Sequence, residues 1–169
     1  ALQTTLSSVG SSKDELKKLT NKHLKTIELS SLKKVPPQIW TMRNLTILRL
    51  SECEMKTIPR EMHYLNESLM CLTLSHNRIE EIPMWFCKRM QRLKTLDLSW
   101  NRLRTLPFEI VLLKACKSFN FSHNSIRALP NAFSMKIFSG SIVYDKIDFS
   151  HNCLQYIHAS DIRLSGTQQ

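Results

Sequence analysis

LSHNRI at residues 74–79 returns as LSWNRL at 98–103, FSHNSI at 121–126 and FSHNCL at 149–154, and in a looser form as LSECEM at 50–55. Each copy is followed, three residues after its last apolar position, by Ile or Leu. Aligning on the phrase gives L-x-x-L-x-L-x-x-N-x-L-x-x-L-P, with its first position at Leu45, Leu69, Leu93, Cys116 and Tyr144 and spacings of 24, 24, 23 and 28 residues. A shorter unit precedes them at Leu24, Ile27 and Leu29, where LSSLKKVP lacks the Asn. Repetition at this period predicts a solenoid, because one unit is too small to bury its own apolar face and a stacked neighbour has to cover it.

Alternate residues of a strand point to one side. Leu48/Leu50, Leu72/Leu74, Leu96/Leu98, Phe119/Phe121 and Ile147/Phe149 are therefore read as short strands with one buried side, stacking into a parallel sheet. Asn77, Asn101, Asn124 and Asn152 stand where the chain must turn inward, and their amides are expected to bond backbone groups of neighbouring turns. Cys53 holds that place in the second unit and can supply only a weaker version. Pro36, Pro59, Pro83, Pro107 and Pro130 each precede an apolar residue by three places: Ile39, Met62, Phe86, Ile110 and Phe133. That spacing predicts a short helical turn packing under the sheet. The pattern resembles the leucine-rich repeat family over residues 24–157. The resemblance implies an α/β leucine-rich repeat solenoid with a curved parallel sheet on the concave side, short helical turns on the convex side, and binding through the concave face.

Within 169 residues of which 42% are apolar, a single core is expected, preceded by a flexible lead-in over 1–12. Ser12 and Glu15 form a capping box that predicts a helical cap over 13–23. The polar stretch 158–169 is a tail or the start of a further cap, and the chain is expected to continue in its natural context. No apolar run approaches the roughly 18 residues of a membrane span. Five cysteines scattered over different repeat positions point to a reducing, intracellular compartment.

Lys and Arg number 24 against 14 Asp and Glu, a net charge of +10. Part of the excess falls along one edge, at Lys56, Arg78, Arg102, Arg104 and Arg127, and more at Lys88, Arg89 and Arg92 on a convex turn. A basic edge suits an acidic partner or a phosphate backbone, with binding that weakens with salt. The concave positions Arg49, Thr73, Thr95, Asp97, Asn120 and Asp148 are mixed in polarity. Beside them one column holds Ser31, Glu52, His76, Trp100, His123 and His151. Rungs about 4.8 Å apart put His76 and His123 too far apart to share a metal ion, which leaves only His123 and His151, near Asp148, able to chelate. Neither a metal site nor a cofactor is expected. An interaction surface centred on Trp100 is the stronger reading, since exposed aromatics flanked by polar groups make protein interface hot spots. Catalysis is not expected: three glycines leave no phosphate-cradling loop, and the Cys71/His76 pair has no orienting partner. A regular aromatic platform for stacking bases is also missing.

Ser68 to Cys87, SLMCLTLSHNRIEEIPMWFC, together with the late, lengthened repeat ending SIVYDKIDFSHNCL, resembles the leucine-rich repeat substrate receptors of cullin-2 ubiquitin ligases. That resemblance implies a nuclear adaptor that recognises the chromatin-bound replicative helicase and has cullin-2, elongins and helicase subunits as partners, with no small-molecule substrate. The P-x-x-I-x-x-L turns are also similar to those of intracellular scaffolds for a small GTPase or phosphatase, and a weaker alternative is an electrostatic nucleic-acid binder.

Overall fold

A computed structural model describes residues 3–6, 24–140 and 142–155. Seven parallel strands follow one another in chain order: β1 (Gln3–Leu6), β2 (Thr26–Ser30), β3 (Ile47–Ser51), β4 (Cys71–Thr73), β5 (Thr95–Asp97), β6 (Ser118–Asn120) and β7 (Lys146–Asp148). The register repeats without a slip, so Leu48, Leu72, Leu96, Phe119 and Ile147 lie side by side. These residues and their partners Leu50, Leu74, Leu98, Phe121 and Phe149 are all buried. The alternation expected from L-x-L is therefore the alternation of the sheet.

One difference lies at the start of the chain. Residues 1–12 are expected above as flexible, yet Gln3–Leu6 pair in parallel with Thr26–Leu29 and cover the otherwise open edge of β2. The expected helix over 13–23 and the tail over 158–169 lie outside the described residues.

Five helical turns face away from the strands: Pro37–Thr41, Arg60–Leu65, Met84–Arg89, Phe108–Leu112 and Asn131–Phe138. Each begins immediately after a proline held in extended backbone. The proline carbonyl then accepts the amide of the residue three places on, as in Ile39 to Pro36 at 3.2 Å, Phe86 to Pro83 at 2.9 Å and Phe133 to Pro130 at 2.9 Å. That bond turns Ile39, Met62, Phe86, Ile110 and Phe133 back under the sheet, where all five are buried. None of the helices is long and apolar enough to cross a membrane.

The asparagines close each turn and join it to the one before. Asn77 donates from Nδ2 to the carbonyls of Leu74 (2.9 Å) and Ser75 (3.2 Å) in its own turn and of Leu50 (2.8 Å) in the previous one. Its Oδ1 accepts the amides of Cys53 (3.0 Å) and Met55 (3.1 Å). Asn101, Asn124 and Asn152 repeat the arrangement. At Cys53 the thiol reaches the carbonyls of Leu29 and Ser51 at 3.8 and 3.3 Å, both weak sulfur bonds. Replacing Cys53 by Asn should therefore raise stability by about 1 kcal/mol, seen as a rise in Tm of about 2–4 °C. No rise would mean that the second turn is too distorted to seat an amide.

The described cysteines are all free. Burial pushes the Cys87 thiol up to about 12, with the Glu109 charge adding to the effect, and burial also pushes Cys116 up to about 12. Both thiols stay protonated at neutral pH and behave as small apolar core groups.

Candidate functional site

The strand register sorts the side chains of the concave face into columns. One runs Thr26, Ile47, Cys71, Thr95, Ser118, Lys146 and the next Glu28, Arg49, Thr73, Asp97, Asn120, Asp148. A third is serine at every rung, from Ser30 to Ser150, and the Ser51 and Ser75 hydroxyls lie 3.0 Å apart. The fourth is Ser31, Glu52, His76, Trp100, His123 and His151. All the concave residues expected to bind a partner fall into the first, second and fourth columns.

The second column is only partly free to bind. Arg49 pairs with Glu28. Asp97 Oδ1 accepts both the Ser99 amide (2.9 Å) and the Ser99 hydroxyl (2.7 Å), Asn120 Oδ1 does the same for Ser122, and Asp148 Oδ1 accepts the Ser150 amide. These three side chains fasten the end of their own strands, so their presence on the concave face has a structural use. Thr73 and Thr95 are half-buried.

The fourth column has a geometry that the spacing alone did not reveal. Its six residues all sit at positive φ, between 54° and 58°. L-residues other than Asn and Asp seldom enter this left-handed region, at a cost of roughly 1–2 kcal/mol each. At His76 the neighbouring amide clasps the turn, Asn77 Nδ2 bonding the carbonyls of Leu74 and Ser75. Ser31 and Glu52 hold the same twist ahead of Leu32 and Cys53, so the reversal belongs to the turn itself and the amide fastens it. The same clasp holds Trp100, His123 and His151. Each column amide then bonds the serine carbonyl of the next rung, for example Trp100 to Ser122 at 3.0 Å and His123 to Ser150 at 2.9 Å.

Held alike, the side chains stack. His76 and Trp100 have ring centroids 5.1 Å apart and planes 12° apart. Trp100 and His123 are 3.8 Å and 11° apart, and His123 and His151 are 4.0 Å and 14° apart. Trp100 is not folded over its own turn: it is the second of four stacked rings and remains 49% exposed. Near-parallel rings point their nitrogens side by side rather than toward one point, a poor arrangement for chelation by His123 and His151. Among the described residues there is no group of three or more His, Cys, Asp or Glu placed to hold a metal ion. Cys71 begins β4 and His76 lies beyond its end, three columns apart, which is not the geometry of a dyad.

Partial desolvation in the stack lowers the pKa of His123 from 6.5, the charge of His151 lowers it further, Asp148 opposes the shift, and His76 adds a little to it. Such a histidine is neutral in the folded protein where the unfolded chain has begun to protonate. Its contribution to stability is complete above pH 6.5 and is lost as the pH falls below that value. An NMR titration should place the His123 midpoint below 6.5, moving upward in His151→Ala. A midpoint above 6.5 would mean that Asp148 governs the site.

An open groove runs beside the stack, lined by Glu52, Glu54, His76, Arg78, Trp100 and Arg102 among others. Lys56, Arg78, Arg102, Arg104 and Arg127 are all exposed along this edge. Arg78 is paired with Glu54 at 3.3 Å. The edge is not uniformly basic, since Glu54, Glu80 and Glu81 occupy its N-terminal half. Glu109 was not foreseen: it is 2% exposed on a convex turn, and its Oε1 has no hydrogen-bond partner among the described residues. Nothing in the sequence marks it, because a carboxylate two places after a proline reads as a solvated first-turn residue.

The family model described as Leucine Rich Repeat matches residues 68–89 and 92–113. The chain is 34% identical over 120 residues to the volume-regulated anion channel subunit LRRC8D of Rattus norvegicus, an alignment that takes in 69% of this chain and 13% of that protein. A solved leucine-rich repeat protein of Leptospira interrogans superposes with a TM-score of 0.68 at 23% identity, covering 89% of this chain and 36% of that one. The complex of BIR3 with SERK2 from Arabidopsis thaliana gives a TM-score of 0.53 at 27% identity, over 64% of this chain and 58% of that one. The chain spans between 2% and 31% of the length of the curated relatives it matches.

Proposed function

We propose that the strand face of this leucine-rich repeat fold binds another protein, and that it does so as the substrate-recognition part of a cullin-2 ubiquitin ligase acting on the chromatin-bound replicative helicase. The first half of this reading rests on the ring column. A half-exposed Trp held between two imidazoles is already ordered, so little side-chain entropy remains to be lost when a partner covers it. Leucine-rich repeat domains are suited to such contacts, and one matched structure is itself a protein complex. The second half rests on the likeness of residues 68–87 and of the long last repeat to the cullin-2 receptors, which also motivates a nuclear location.

Capture of the full-length protein from nuclear extract tests both halves when run beside Trp100→Ala. Asp97 is left intact in the control, because its carboxylate fastens Ser99. Recovery of cullin-2, elongins and helicase subunits, with the helicase alone lost in the variant, is the expected result. Recovery of a GTPase or phosphatase without a cullin would make the chain a signalling scaffold and overturn the ligase reading.

A further inference from the structure

Three arginines of the basic edge are left over once its ion pairs are assigned. Arg78 is neutralised by Glu54 and Arg49 by Glu28, whereas Arg102, Arg104 and Arg127 have no side-chain partner among the described residues. They lie on consecutive turns. The Arg127 amide bonds the Arg104 carbonyl at 3.3 Å, and Arg102 precedes Leu103, whose amide is held by Asn124 at 2.9 Å. Like charges held this close repel, and an anion between them relieves the repulsion. Arg102 also lines the groove that Trp100 and His123 share.

We propose that this ledge docks an acidic segment of a partner protein, its carboxylates against Arg102, Arg104 and Arg127 and its neighbouring side chains against the edge of the Trp100–His123 stack. Two observations favour a polypeptide over a nucleic acid. Glu80 and Glu81 occupy the other half of the same edge, beside the neutralised Arg78–Glu54 pair, and repel a phosphate backbone continued along it, while a polypeptide can carry acid at one end and neutral or basic residues at the other. The ring faces are also occupied: at 3.8 and 4.0 Å the Trp100, His123 and His151 rings stack on one another and leave no gap for a base.

The proposal rests on the reading that the strand face binds protein, and adds the chemistry of what it binds. Fluorescence anisotropy with a labelled oligo-glutamate peptide tests it, beside an oligo-lysine peptide of equal length and a single-stranded thymidine oligonucleotide of equal charge. Oligo-glutamate should bind, weaken as salt is raised, and lose about tenfold or more in affinity with Arg102→Glu, Arg104→Glu and Arg127→Glu combined. Lys88→Glu with Arg89→Glu, on the convex turn, should change it less than about twofold. An equal loss in that convex variant would reduce the effect to net charge and overturn the proposal. Equal or tighter binding of the oligonucleotide through the same arginines would overturn it in favour of nucleic acid, and absence of peptide binding would overturn it outright. If nuclear capture depends on Trp100 but ignores the reversed arginines, the ledge is wrong while the strand-face reading stands.

Discussion

Asn77→Ala should destabilise the fold by about 3–4 kcal/mol, read as a lower urea midpoint with little change in slope. The side chain is 7% exposed and makes five hydrogen bonds, two received from the Cys53 and Met55 amides and three given to the Leu50, Leu74 and Ser75 carbonyls. Alanine leaves the two amides without an acceptor in a place closed to solvent, and each orphaned group costs roughly 1–3 kcal/mol. The carbonyls suffer less, since an oxygen has a second lone pair. Asn77→Asp would keep the two accepted bonds, lose the three donated ones and set a charge against three carbonyl oxygens, so it should be at least as harmful at neutral pH. Lys56→Ala on the exposed edge of the preceding turn should stay within about 0.5 kcal/mol of wild type. A loss below about 1 kcal/mol for Asn77→Ala would mean that water enters and replaces the amide.

Phe119→Ala should cost a further order of the same size, about 3–5 kcal/mol. Its ring is 1% exposed and lies 5.5 Å from Phe121, 5.6 Å from Phe133 and 6.0 Å from Tyr144 by centroid. This aromatic cluster fills the core under β6 and β7, strands joined by the repeat that lengthens to 28 residues, where Leu is replaced by larger rings. Truncation leaves a cavity that Cys116 and Ile147 are too small to close. Because each turn touches mainly its neighbours, the damage should be local. Hydrogen exchange in the variant should rise over 116–149 while residues 45–80 keep their protection. Uniform loss of protection would mean that the stack unfolds as a single unit.

Legibility followed from how much of a feature one repeat carries. The strand pairs, the asparagines and the residues three places after each proline were readable because each is a fixed offset within the unit, repeated often enough to set the register. The β1 strand was not, since QTTL pairs with β2 through backbone groups and carries no signature of its own. The column at 76, 100, 123 and 151 was visible as an alignment of residue types. Its left-handed backbone was not, because positive φ is ordinarily announced by glycine, and here the repeat's turn imposes it on Ser, Glu, His and Trp instead. Asp97 looked like a free surface carboxylate, because the serine it holds is two places along the chain and serine follows nearly every strand. The basic edge was legible as a count of charges but not as a division into paired and unpaired ones.

The column's reversed backbone inverts the usual scale of substitution. In most of a solenoid, glycine is among the more damaging replacements, since it adds chain entropy and removes packing. At 31, 52, 76, 100, 123 and 151 it is the residue the backbone would choose, so the chain holds Ser, Glu, His and Trp there against a conformational preference renewed at every rung. Folding alone gives no reason to keep an indole and three imidazoles in such places. Variation among forms of this chain should accordingly separate two pressures that coincide elsewhere in the molecule: a drift toward glycine where the outward face has lost its use, and retention of large rings where it has not.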